Sequence, residues 1–315
     1  MPDNTPVVNT VLGPVPADQL GTTVVHAALL SVYPGAEYAP DITIDRAEIF
    51  EILRTKLHAF YEAGGRTIVD ATGMFHGRNL PFTLDLLENL SRSTGVNIIA
   101  STGMGPEEML GGYFLTPQTN PPTPWPAEKF ADLFSKEITE GMVVPRVERR
   151  AAAGLITSLS SASGMTATDE SLLRGAVRAA LATGVAVSHA FGADALAEIG
   201  IALDEGISPN RLVIRGLARP GAPVLEVAAT GVYLGIDEIT PDTTQLLKTL
   251  IDAGHRDRII LSASAVGVAK GHDASETDFS ALFTDVLPAL RAVGISDADI
   301  TAITVNNPRE LLALV

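Results

Sequence analysis

Six histidines, several arginines and no cysteine set the chemistry open to this chain. His26 lies in Thr22–Ala28 (TTVVHAA), His76 in Met74-Phe75-His76-Gly77-Arg78, His189 in Val185–Ala190 (VAVSHA), and His272 follows Arg258–Ser264 (RIILSAS). An imidazole near neutrality is the default general acid or base, and a guanidinium can steady a developing oxyanion. Arg78, Arg215, Arg219 and Lys270 supply cationic groups, and Tyr113 a phenol. The missing cysteine excludes a disulfide scaffold, a thiolate metal site and a thiol nucleophile. Ser158, Ser160, Ser161 and Ser163 (TSLSSASG) lack the G-x-S-x-G elbow of a nucleophilic serine. Gly103-Met104-Gly105 is too short for a phosphate-cradling fingerprint.

Something must hold these groups at one place. Eight short, β-branched apolar runs recur along the chain. They are Thr22–Ala28, Arg66–Thr72, Asn97–Thr102, Gly154–Ser158, Val185–Ala190, Arg211–Gly216, Gly231–Asp237 and Arg258–Ser264. Such runs read as buried parallel strands. Amphipathic helical patterns lie between them, at Asp45–Gly64, Thr168–Gly184 with Thr168 as N-cap, Asp242–Gly254 and Asp278–Gly294. Eight strand–helix units over about 250 residues predict an α/β fold, a single (β/α)8 TIM barrel across 1–315. A doubly wound open sheet is the structural alternative. Gly111–Glu128 (GGYFLTPQTNPPTPWPAE), with five prolines and the only tryptophan, predicts a long loop on the active face or at an oligomer contact.

With 22 Lys+Arg against 37 Asp+Glu, the 315-residue chain carries a net charge of −15. That argues against nucleic acid and against an anionic membrane surface. At 46% hydrophobic it is not a disordered chain. No apolar run approaches the ~20 residues that span a bilayer, and the first residues lack a basic n-region, so a cytoplasmic protein is expected.

Several segments, in order, carry a resemblance. They are Leu12–Val15 with Leu20–His26 (LGPV, LGTTVVH), Gly65–Asp70 (GRTIVD), Ala179–Val185 (AALATGV), Gly231–Asp237 (GVYLGID), and Leu287–Ile295 through to Asn307-Pro308. Together the chain resembles the phosphotriesterase-like group of the amidohydrolase superfamily from about residue 10 to the end. The resemblance implies the same barrel, and a homodimer. It also implies a binuclear zinc centre built from an HxH pair on strand 1, a carbamylated lysine on strand 4, histidines on strands 5 and 6, and an aspartate on strand 8.

This chain departs from that pattern. The first histidine is His26, but the other ligand positions are Ala28, Thr157, Ala190, Gly216 and Ser264. A catalytic zinc needs about three protein ligands, and a two-metal clamp needs more. No metal is therefore expected. Strand parity turns Ser188 and Ala190 inward and His189 outward, unless a one-residue loop deletion returns His189 to the lumen. Arg215 precedes Gly216, at the inward ligand place, and would reach the mouth by curling over the rim.

Small residues at former ligand positions leave volume at the mouth. His26, His76, His189 and Ser264 are the candidate catalytic groups. Thr157, Ser188, Arg78, Tyr113, Arg215, Arg219 and His272 are the candidate substrate contacts. Their cationic balance suits an anionic or carbonyl-rich small molecule, such as a lactone or ester. Three readings stay open: a metal-independent enzyme of hydrolase or lyase type, a catalytically dead barrel that binds a small molecule or protein, and a metal-dependent hydrolase with a non-standard site. Replacement by small residues rather than apolar plugs favours the first, because a site kept only for stability gains by being filled.

Overall fold

The computed structural model describes residues 6–314 except 75, 77, 79, 111–114, 117–122, 145–147, 263–264 and 274–276. The barrel strands are β1 (Thr23–Val32), β2 (Thr67–Asp70), β3 (Asn97–Met104), β4 (Leu155–Leu159), β5 (Val187–Ala190), β6 (Leu212–Arg215), β7 (Tyr233–Ile236), β8 (Ile259–Leu261) and β9 (Val266–Lys270). They form one parallel sheet in chain order, with β8 at one end and β9 beside β1 at the other. Leu234 pairs with Ile259 across β7 and β8, while Val266 pairs with Ala28 across β9 and β1. Because β8 also packs against β1, beside the pairing of β9 with β1, the two ends of the sheet meet and the ring closes. The fold is a (β/α)8 barrel, not an open sheet.

Helices follow the strands: α1 (Arg46–Glu62), α2 (Thr83–Thr94), α3 (Ala127–Thr139), α4 (Ala167–Thr183), α5 (Ala195–Asp204), α6 (Val224–Ala229), α7 (Pro241–Asp252) and α8 (Leu287–Ala292). Their starts are chemically marked. The Asp45 carboxylate accepts from Ala47 N and Glu48 N at 2.8 and 3.1 Å. The N-cap of α4 is Thr166 rather than Thr168: Thr166 and Asp169 exchange side-chain-to-backbone bonds in a capping box, and Thr168 is buried in the first turn. The Asp278–Gly294 pattern is interrupted. Pro288 has no N–H to give, and Leu282–Val286 widens into a π-turn before α8. In the proline-rich segment Leu115–Thr116 pairs with Thr123–Pro124, and Ala127 and Glu128 already belong to α3.

Strand 8 differs most from the sequence expectation. Val266–Lys270 is strand rather than loop, and Lys270 is its last residue. Gly267 hides the strand from a propensity reading, yet a Cβ there would meet Leu53 Cδ2 at 2.3 Å. Only glycine lets α1 lie that close.

The barrel interior is layered. Val25, Val69, Ile99, Leu155, Ala186, Val213, Tyr233 and Ile260, one from each strand position, make an apolar floor with Val8 and Leu20 beneath it. Two residues further along, the same inward parity brings Ser101, Thr157, Ser188, Arg215, Gly235 and Ser262. A polar layer thus rests on a sealed apolar one, and the C-terminal mouth is where chemistry can occur. Among the described residues no helix is long and apolar enough to cross a membrane.

Candidate active site

A cleft of ≈ 290 Å³ opens at the C-terminal mouth, lined by His26, Ala27, Ala28, Ser31, Ala71, Thr72, His76, Leu159, Arg215, Ala265 and Val266. The alanines, two of them beside His26, leave this volume.

His26 enters the polar layer through a backbone irregularity. It is the one non-glycine residue at positive φ (68°) among those described, and the β1–β2 register shifts between Val24 and Ala27. This bulge turns the imidazole inward next to Val25, at a backbone cost of order 1 kcal/mol. Ser188 Oγ lies 2.7 Å from His26 Nε2, and Asp237 Oδ1 lies 3.1 Å from Nδ1. Burial alone would raise the Asp237 carboxyl, but Arg215 and His26 hold it well below the usual carboxylate range. An ionised Asp237 only accepts, so His26 Nδ1 carries the proton and Nε2 accepts from the Ser188 hydroxyl. Burial lowers the His26 pKa, with Asp237 opposing and Arg215 adding to the shift. The ring is therefore neutral near pH 7, with both nitrogens engaged.

Arg215 is the cation of this site. Its Nε donates to Asp237 Oδ2 at 3.0 Å. Its Nη1 and Nη2 have no partner among the described residues, and the side chain lines the cleft. Arg215 shares inward parity with Val213, so it rises from the lumen face and does not curl in from outside, as the ligand alignment at Gly216 suggested. Gly235 makes room for it: a Cβ there would meet Arg215 Cγ at 2.9 Å.

Two more histidines flank the cleft. His76 is half-buried, with Nε2 3.4 Å from Gly105 O, and burial lowers its pKa. His272, exposed on the rim, places Nε2 2.8 Å from Ser31 Oγ and Nδ1 2.9 Å from Asp273 O.

Other sequence candidates are placed elsewhere. His189 faces away from the lumen and pairs with Glu198 Oε2 at 2.6 Å, both groups buried, as strand parity requires. Arg78 is buried in an ion pair with Glu137 at 2.5 Å and does not line the cleft. Arg219 donates to Gly216 O, Gly192 O and Phe191 O, and stacks on the Phe191 ring at 3.9 Å. Thr157 Oγ1 donates to Thr102 O at 3.0 Å in the buried wall, and Ser188 is fully buried behind His26. Ser264 and Tyr113 lie outside the described residues. Of the three candidate arginines only Arg215 lines the cleft, and Asp237 matches its charge. The sequence reading missed Asp237, whose signal was an acid closing the GVYLGID run, and Ser31, which follows the point where strand 1 was expected to end.

A model of the phosphotriesterase family matches residues 6–312. The chain belongs to the phosphotriesterase family. It is 26% identical to a "Phosphotriesterase homology protein" of Mycobacterium tuberculosis, over 97% of each chain. It is 28% identical to a "Phospho-furanose lactonase" of Mycoplasmopsis synoviae, covering 96% of this chain and 91% of the relative. Its backbone superposes at TM-score 0.82 and 23% identity on a structure from work engineering organophosphate hydrolysis out of a weak promiscuous lactonase template, covering 98% and 100% of the two chains.

The side chains of this family member do not fit the binuclear centre its family implies. Ala28, Ala190 and Gly216 have no donor atom, the Thr157 hydroxyl faces a carbonyl, and both nitrogens of His26 are occupied. Among the described residues no three His, Asp or Glu side chains converge as a metal site would require.

Proposed function

We propose that this protein hydrolyses a small lactone or ester in the mouth cleft without a metal ion. The observation that carries this reading is the Arg215 guanidinium, anchored through Nε on Asp237 and presenting to the ≈ 290 Å³ cleft two N–H edges that have no partner among the described residues. A fork held in one plane can bind a carbonyl oxygen and bind it more strongly as charge develops. That is the task metals perform in a two-metal hydrolase.

The base is His76. With its pKa lowered, the ring is neutral at pH 7, and if Nε2–H points to Gly105 O, Nδ1 keeps its lone pair. His76 takes a proton from water as the oxygen bonds to the carbonyl carbon. The tetrahedral oxyanion sits on Arg215. Its collapse breaks the carbonyl–alkoxy bond, and the leaving oxygen receives the proton from His76. With Arg215 already matched by Asp237, a neutral carbonyl compound suits the site better than a multiply charged anion. The name of one relative, a phospho-furanose lactonase, agrees with the lactone part of this reading and differs from it in naming a phosphorylated ring.

A pH-stat assay with γ- and δ-lactones and aryl esters tests the reading, with metal content measured on the same sample. Turnover that survives chelation at substoichiometric metal is expected. Turnover that appears only on adding zinc or manganese would overturn metal independence. The engagement of both His26 nitrogens favours a second reading, a barrel that binds such molecules without turning them over. Thermal stabilisation by a lactone with no hydrolysis would support it.

A further inference from the structure

Ser31 on the cleft wall and His272 beside it on the rim stand in the geometry of a nucleophile and its base. Ser31 is the penultimate residue of β1, at the C-terminal end where barrel enzymes place reactive groups. It is half-buried and lines the cleft. His272 Nδ1 faces Asp273 O at 2.9 Å, and a carbonyl oxygen can only accept. The Nδ1 proton is thereby assigned, and the Nε2 lone pair points at Ser31 Oγ, 2.8 Å away. A hydroxyl, a base within hydrogen-bond reach and a third group orienting that base form the arrangement by which weak hydroxyl nucleophiles are activated. His76 is adjacent: its carbonyl accepts from Val32 N at 3.0 Å, and its titration senses the charge on His272. The Ser188–His26–Asp237 chain has similar distances, but Ser188 is fully buried and does not line the cleft.

We propose that Ser31 is a covalent nucleophile and that hydrolysis passes through an acyl-Ser31 ester. This rests on the hydrolase reading above and deepens it: Ser31 takes the place of water in the attack on the lactone, and His76 serves the water of the second step. Ser31 Oγ bonds to the lactone carbonyl carbon while its proton passes to His272 Nε2. The ring carbon–oxygen bond breaks, and the ring oxygen takes that proton to become a hydroxyl. The whole lactone is then attached to Ser31 as its hydroxyacyl ester. Water, deprotonated by His76, attacks the ester. The bond from the acyl carbon to Ser31 Oγ breaks, Ser31 Oγ takes the proton that His76 accepted from water, and the hydroxy acid is released.

The test uses the full chain, an alkyl fluorophosphonate and a strained β-lactone as probes, and intact mass with peptide mapping. One adduct per chain on Ser31 is expected in the native protein, and none in Ser31→Ala. His272→Gln is expected to label at least about 10²-fold more slowly. Ser188→Ala is expected to label like the native protein. Thermal melting of each variant separates lost folding from lost reactivity. Labelling elsewhere, or lactone turnover undiminished in a folded Ser31→Ala, would sink the covalent step while leaving direct water attack standing. Absence of any turnover together with labelling of Ser31 would instead remove the hydrolase reading and keep the reactive serine.

Discussion

Arg215 Nε and Asp237 Oδ2 meet at 3.0 Å, while His26 holds the other carboxylate oxygen at 3.1 Å. One carboxylate thus orients a guanidinium from β6 and an imidazole from β1, and of these two groups only the guanidinium has donors without a partner among the described residues. Replacing Arg215 by Met should lower kcat/KM for a lactone by about 10²–10³-fold, the usual loss for one oxyanion donor group. Lys should not rescue it. An ammonium is a point donor and cannot hold Asp237 through one edge while presenting a planar fork. Steady-state kinetics on both variants, with melting temperatures alongside, checks this.

The pH dependence follows from His76. A base works in its neutral form, which persists above its pKa, and burial moves that pKa below the ordinary 6.5. The acid limb of kcat should therefore lie below pH 6.5, with activity flat through neutrality. His76→Gln should depress kcat by about 10²–10⁴-fold and abolish that limb. An unchanged limb in this variant would place the titrating base elsewhere.

Asp70, at the end of β2, makes a stability statement of opposite sign. Its buried carboxyl is pushed up to about 6, chiefly by desolvation. Folding then favours the protonated form: the unfolded chain ionises from about pH 4, the folded chain only near 6. Stability falls as pH rises through that window and stays low above it. Asp70→Asn keeps an acceptor for Leu29 N (3.4 Å to Oδ1 in the native chain) and removes the charge. It should flatten the dependence between pH 4 and 6 and gain up to roughly 3 kcal/mol at pH 8. Urea melts at pH 4, 6 and 8 decide it.

Period-two patterning made the barrel legible, because eight buried strands leave the same apolar signature at each turn of the chain. It also made the opposite facing of Ser188 and His189 legible. It failed at strand ends. A bulge at His26 and a glycine at 267 interrupt the alternation, whereas Arg215 obeys it, in phase with Val213, and is obscured only because the ligand place aligns with Gly216. Side-chain partners were beyond its reach. Arg78 and Arg219 read as cations for a ligand, whereas Glu137 and three backbone carbonyls hold them. Asp237 and Arg215 are 22 residues apart and meet only because neighbouring strands bring them together.

The Arg78–Glu137 pair has its own consequence. Both groups are buried, and Arg78 Nε and Nη1 have no hydrogen-bond partner among the described residues. Glu137→Gln should destabilise the fold by about 3–5 kcal/mol, since a buried guanidinium loses its counter-charge. The double change Arg78→Met with Glu137→Leu should recover most of that loss. Chemical denaturation of the single and double variants measures the difference.

Gly235 offers the sharpest separation of site from scaffold. A Cβ at this position would sit 2.9 Å from Arg215 Cγ, 3.1 Å from Ile214 O and 3.2 Å from Val213 Cγ1. The glycine needs no unusual φ, so the effect of Gly235→Ala is steric rather than conformational. The arginine stem is the contact most able to move, and moving it draws Nε from Asp237. The fold should lose about 1–3 kcal/mol from overpacking. Lactone turnover should fall towards the level of Arg215→Met, because a misplaced fork is little better than none. Combining Gly235→Ala with Arg215→Met should then cost almost nothing further in kcat/KM, and full additivity in that cycle would show that the two residues act independently.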